Sequence, residues 1–309
     1  MRRASGFIPL VFAGFCLSAP AQSPDSHVPD IRVDTTLVVV PVNVSDSLNR
    51  SVIGLDRQNF RVFEDGVEQK VAHFSGEDAP LSVGLIVDTS GSMGLKLGIT
   101  QKAAAEFLKT MNAADEAFLV EFSDQARLVQ GFTTEPKEIE HQLEGLRPGG
   151  LTALLDGVNL GVAEMKKAKN PRKALIVISD GGDNHSTYTS EQIRETVRAA
   201  DVEVYAMGVF EPVLFPGLMA AEEISGPKFL AKLAEQTGGR AFGAKYDDQL
   251  PGIAERIAVE LRNQYVLGYY PKNSARDGKY RKLEVKVDVP KGFPAVKARW
   301  RLGYYAASD

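Results

Sequence analysis

Four nearly continuous apolar runs, Leu81 to Asp88, Ala117 to Ser123, Ala174 to Asp180 and Val202 to Val209, recur through the middle of this 309-residue chain with helix-period segments between them. Such runs lack the in-and-out alternation of a half-wet strand and suit parallel strands covered on both faces. Between them Leu97, Ala104, Phe107, Leu108 and Met111 share one helical face, and Leu154, Leu155, Val158, Val162 and Met165 share another. Further helices are expected near Glu191 to Ala200, Lys228 to Glu235 and Asp247 to Arg262, and Ala126 to Phe132 reads as a short edge strand beside the run before it. The pattern predicts a doubly wound, mostly parallel, Rossmann-like α/β sheet. Sheets of that kind bind ligands outside the carboxyl ends of their strands.

Polar residues at those strand ends supply a candidate site. Asp88-Thr89-Ser90-Gly91-Ser92 closes the first run, Thr152 follows Gly149-Gly150-Leu151, and Asp180 closes the third run. Singly, each has an ordinary explanation: Asp and Ser cap helix starts, Thr152 would cap a helix over Ala153 to Lys167, and Asp180 precedes the turn-forming Gly181-Gly182. Jointly they suit a hard divalent cation such as Mg2+, with Mn2+ or Ca2+ as alternatives, because these ions take oxygen ligands and give up water reluctantly. Ser90, Ser92 and Thr152 offer neutral hydroxyls, and Asp88 and Asp180 offer the anionic oxygens. An ion so sparingly neutralised stays electrophilic and has reason to recruit one more carboxylate from outside.

In this order the three pieces resemble the metal-ion-dependent adhesion site of von Willebrand factor type A domains. Residues 81 to about 262 resemble that domain throughout, including Asp115-Glu116-Ala117-Phe118-Leu119-Val120-Glu121-Phe122-Ser123 as its second-strand segment. The flanks Asn59-Phe60-Arg61-Val62-Phe63-Glu64-Asp65-Gly66 and Arg301-Leu302-Gly303-Tyr304-Tyr305-Ala306 resemble the von Willebrand factor A-related proteins abundant in acidobacteria. The resemblance implies direct ligation by Ser90 and Ser92, Thr152 direct or through water, Asp88 and Asp180 through bound waters, and a last helix able to shift when the site is filled. One departure is Leu151, which stands between the glycines and Thr152 where many relatives place the threonine directly.

A composition of 44% hydrophobic and 25% charged residues is ordinary for a soluble globular protein. At the N-terminus, Arg2-Arg3, the apolar run Ile8 to Leu17 and Ala19-Pro20-Ala21 have the layout of a secretory signal, residues 1–21, cleaved after Ala21. That run is too short to span a bilayer, so no transmembrane segment is expected. A lipid-anchored reading on Cys16 is disfavoured by the bulky Phe15 before it. Because Cys16 is the only cysteine, the mature chain would be thiol-free and held without disulfides. Losing Arg2 and Arg3 takes the formal charge from −4 to −6, which argues against nucleic acid as a partner.

Residues 22–29 read as a linker, 30–78 as an N-terminal β module, 79–262 as the type A domain and 263–309 as returning strands. In the β module Val38, Val40, Val42 and Val44 alternate, and Phe60 to Glu64, Asp65-Gly66 and Val67 to Phe74 carry a hairpin signal. After Arg262 the period of two returns in Tyr265, Leu267 and Tyr269, in Leu283, Val285, Val287 and Val289, and in Val296, Ala298, Trp300 and Leu302, with Asp277-Gly278 in the first connection. The two β segments are expected to join in a small β-sandwich, with the type A domain inserted between them. Lys279, Arg281, Lys282, Lys286, Lys297, Arg299 and Arg301 read as the wet face of that sheet rather than a polyanion surface.

The expected function is that of an exported, periplasmic or secreted, non-enzymatic adhesion module whose ion docks an Asp or Glu carboxylate of a protein partner. One alternative is a metal-assisted hydrolase using Asp183 and His185. Against it, no HExxH, GxSxG or Walker A string occurs, and His27, His73, His141 and His185 are scattered. The other alternative is an envelope scaffold whose ion only stiffens its loops.

Overall fold

The computed structural model describes residues 37–180, 182–209 and 221–308. The expected leader with Cys16, the linker at 22–29 and the first residues of the N-terminal β module lie outside those residues.

The four apolar runs become neighbouring strands of one six-stranded sheet. They are β5 (Leu81–Asp88), β6 (Glu116–Phe122), β8 (Arg172–Ile178) and β9 (Glu203–Val209), joined by β7 (Ala126–Thr133) and β10 (Ala241–Ala244) in the order β10-β9-β8-β5-β6-β7. Every pairing is parallel except that of β6 with β7, which is antiparallel and irregular in register. All eight residues of β5 are buried, as a central strand covered on both faces requires. Val83, Leu85 and Val87 point into a core shared with α1 (Leu97–Leu108), α2 (Pro136–Gly145) and α6 (Leu250–Arg262). Ile86 points the other way, into a core shared with α3 (Leu154–Met165), α4 (Ser190–Ala199) and α5 (Ala221–Thr237). A Cβ at Gly84 would stand 2.2 Å from the Phe118 ring and 2.6 Å from Leu175, so glycine is what lets those side chains close over the middle of the strand.

The remaining strands build two antiparallel sheets, each mixing residues from before β5 with residues after α6. Val38–Asp46 (β1) pairs with Tyr265–Tyr269 (β11) and Val296–Trp300 (β13), and β11 also pairs with Val71–Ser75 (β4). Phe60–Glu64 (β2) pairs with Tyr280–Val287 (β12) and Val67–Gln69 (β3), and β12 pairs with Gly303–Tyr305 (β14). Val40, Val42, Val62, Leu267 and Val285 share one buried cluster. The Tyr269 and Tyr304 hydroxyls both donate to Glu64 Oε2, at 2.6 and 2.8 Å, which satisfies a carboxylate that is itself buried.

Several elements differ from the sequence expectation. The hairpin arm expected over Val67 to Phe74 is two strands: it breaks at Lys70, and β4 crosses to the other sheet. Likewise the strand expected over Val296 to Leu302 stops at Trp300, and β14 resumes in the opposite sheet. At that break Leu302 N donates to Gln236 O at 3.0 Å, and the Arg301 guanidinium donates to Val39 O at 2.6 Å and to Asp201 Oδ1 at 2.7 Å. The helix expected from Asp247 starts as a short 3-10 turn, and α6 proper begins at Leu250. The unforeseen α2 carries a thin apolar stripe, with Ile139 and Leu143 as its buried residues, while β10 is only four residues long. Lys279, Lys282, Lys286 and Lys297 are exposed, whereas Arg281, Arg299 and Arg301 pair with Asp277, Glu260 and Asp201. Among the described residues no helix is long and apolar enough to cross a membrane.

Candidate functional site

Chain order makes a crevice at the carboxyl end of β5. From β5 the chain proceeds to β6 on one side, whereas β8 and β9 lie on the other, so the connections diverge between β5 and β8. Val87 and Ile178 are register partners there, and Asp88 and Ser179 follow them at the point of divergence.

Asp88, the last residue of β5, is fully buried. Its Oδ1 accepts from Ser90 N at 2.8 Å and its Oδ2 from Ser179 Oγ at 2.6 Å, so both oxygens are engaged. The Ser90 and Ser92 hydroxyls stand 3.1 Å apart. Ser90 precedes a 3-10 turn over Gly91–Met93, but its side chain caps nothing, which removes the helix-cap explanation for this serine. Thr89 ties the segment to β6: its N and Oγ1 donate to Phe122 O at 2.8 and 3.1 Å.

The segment carrying Thr152 is laced against this turn. Gly149 N donates to Thr89 O at 2.8 Å, and Gly91 N donates to Gly150 O at 3.0 Å. Gly150 has φ of +81°, the left-handed conformation that favours glycine, and the next amide, Leu151 N, donates to Asp124 Oδ1 at 2.8 Å. Thr152 N donates to Asn184 Oδ1 at 2.9 Å, and Thr152 O accepts from Asn184 N and His185 N at 3.0 and 3.1 Å. Helix α3 starts at Leu154 with Ala153 at its N-cap, so Thr152 does not cap it.

Asp180 follows Ser179 at the end of β8, and its Oδ2 lies 3.6 Å from the Lys96 ammonium. Both side chains are mostly covered, 17% and 16% exposed. Burial pushes the Asp88 carboxyl up to about 6 against the hydrogen bonds from Ser179 and Ser90, and the charge of Asp180 adds to the rise. A nearby cation reverses that balance. Every donor in the set is oxygen, with no thiolate or imidazole among Asp88, Ser90, Ser92, Thr152 and Asp180. Their chemistry fits a hard divalent cation and offers little to a soft metal.

Asp183 and His185, the pair in the hydrolase alternative, have positions that bear on the loop. Asp183 Oδ1 accepts from Ser186 Oγ at 2.5 Å and Leu155 N at 3.3 Å, and burial raises its carboxyl. The sequence reading missed Lys96, Asp124, Ser179 and Asn184. Only Ser179, beside Asp180 in the same run, and Asp124, just past the second strand, had a positional hint. Leu95 (99% exposed) and Leu151 (47%) project from the two laced segments.

In comparison with known families, residues 83–182 match the model of the von Willebrand factor type A domain. The chain is 27% identical over 223 residues to mouse inter-alpha-trypsin inhibitor heavy chain 4, a stretch that makes up 64% of this chain and 22% of that protein. It is 29% identical over 110 residues to the uncharacterized protein sll0103 of Synechocystis, 34% of this chain and 26% of that one. It thus spans roughly a quarter of the length of these curated relatives. Among solved structures, proximal thread matrix protein 1 from the mussel byssus superposes with a TM-score of 0.51 at 17% identity, over 64% of this chain and 51% of that chain, a likeness of fold.

Proposed function

We propose that the type A domain of this chain is a metal-dependent binding module that captures a carboxylate of a protein partner. The observation that carries the reading is the oxygen-only cluster at the divergence of β5 and β8, where the Ser90 and Ser92 hydroxyls stand 3.1 Å apart beside a buried, doubly hydrogen-bonded Asp88. Ser90, Ser92 and Thr152 would hold Mg2+, or Mn2+ or Ca2+ in its place, with Asp88 and Asp180 acting through bound waters. A divalent ion there supplies an electrophilic position for an incoming Asp or Glu carboxylate.

The chain's own residues account for the rest of the task. Asp88, fixed by Ser179, orients the serine turn, while Asp124 and Asn184 hold the loop of Thr152. Leu95 and Leu151 offer apolar contact to whatever flanks the captured carboxylate. We read residues 79–262 as the domain, inserted between 30–78 and 263–309, which form a small sandwich, in a protein exported by its leader. No residue in this account makes or breaks a bond. The test is partner capture from an extracellular protein mixture in Mg2+: loss of capture on chelation and in Asp88→Ala supports the reading, and capture unchanged by chelator contradicts it.

A further inference from the structure

We propose that Lys96 is a built-in competitor for the divalent ion, whose ammonium holds Asp180 and so sets the ion concentration at which the site fills. The inference rests on the metal reading above and adds how that same site is regulated. Asp88 has both carboxylate oxygens engaged by Ser90 and Ser179, which leaves Asp180 as the anionic group most able to answer an arriving cation. Asp180 counts Lys96 among its partners, at 3.6 Å.

The ammonium is held where it is. Lys96 N donates to Met93 O at 2.9 Å and Lys96 O accepts from Thr100 N at 3.0 Å, which fixes its backbone between the serine turn and α1. Met93, Thr100, Ile178, Ser179 and Leu250 line a cleft with it, and the lysine is 16% exposed, so its stem has little room to swing into solvent. A charge packed this way is screened far less than one on an open surface. A divalent ion arriving at Asp180 therefore meets a like charge at short range and in a partly desolvated crevice, which weakens its binding. The same charge pairs with Asp180 before any ion arrives.

Mg2+ titration followed by calorimetry and by thermal melting tests this on the full chain in three forms: wild type, Lys96→Met, which keeps the stem and drops the charge, and Lys96→Arg, which keeps the charge. Lys96→Met is expected to bind Mg2+ about tenfold more tightly than wild type, and Lys96→Arg to stay within a few-fold. If Lys96→Met is poorly folded without ion, Lys96→Gln takes its place with the same expectation. Neutral variants that bind Mg2+ no more tightly than wild type overturn the proposal while leaving the metal reading standing. Absence of Mg2+ binding in every form overturns both.

Discussion

Ser179 Oγ donates to Asp88 Oδ2 at 2.6 Å and thereby ties together the carboxyl ends of β5 and β8, the two strands between which the chain connections diverge. A hydrogen bond to a buried charged group contributes about 1.5–3 kcal/mol. Ser179→Ala should lower the unfolding free energy by about 2 kcal/mol in denaturant melts at neutral pH, and it should reduce the extra stability conferred by Mg2+. A melt unchanged by the substitution would show that Asp88 is held by other means.

Gly150 should tolerate no side chain. A Cβ there would lie 2.4 Å from Asp124 Oδ2, at a φ of +81° that costs an L-residue roughly 1–2 kcal/mol. Gly150→Ala is expected to destabilise by at least about that amount and to loosen the loop carrying Thr152, seen as faster amide exchange at Leu151 and Thr152. Gly98→Ala in α1 is the control, since its Cβ would meet nothing within 4 Å and helix propensity favours alanine. Equal losses at the two positions would contradict the assignment.

At the opposite end of the sheet Glu203 is buried, and burial raises its carboxyl from 4.5 to about 7 against the hydrogen bond from Gln264 and the charge of Arg172. Between those two pH values the folded protein holds a proton that the unfolded chain has released, so stability falls as pH rises through that window. The loss is complete above about pH 8 and amounts to about 3 kcal/mol. Glu203→Gln should flatten the decline of unfolding free energy between pH 5 and 8, as read from denaturant melts across that range. A variant whose stability falls as steeply as wild type would remove Glu203 from the account.

Legibility in the sequence followed the physics of each element. Strands buried on both faces, such as β5 and β8, announced themselves as apolar runs because their middles, Val83 to Val87 and Ala174 to Ile178, are apolar between two cores, with polar residues kept to their ends. Strands that change sheets did not, since the breaks at Lys70 and after Trp300 leave the period-two pattern intact while the hydrogen bonds go elsewhere. Helix α2 was hidden by having two buried residues in ten. At the candidate site the proposed ion ligands stand out by residue type and order, but the side chains that brace them do not. Asp124, Ser179, Asn184 and Lys96 act through contacts between segments 27 to 91 residues apart, and no local spacing encodes these.

Leu95 and Leu151 should matter for binding and not for folding. Both are exposed, so Leu95→Ser with Leu151→Ser should change stability by less than about 0.5 kcal/mol. Random-peptide display in Mg2+ with elution by chelator should enrich an Asp or Glu flanked by apolar residues on wild type, and should lose the apolar flanks on the double variant. The same sequences recovered from both proteins would show that these leucines do not contact the partner.

The most direct measurement is a crystal of this chain grown with Mn2+ and recorded at the manganese absorption edge. One anomalous peak is expected within ligand distance of the Ser90, Ser92 and Thr152 hydroxyls, with one coordination position facing solvent and filled by water or a neighbouring molecule's carboxylate. No peak there at saturating Mn2+, or a peak enclosed on every side by this chain's own atoms, would contradict carboxylate capture.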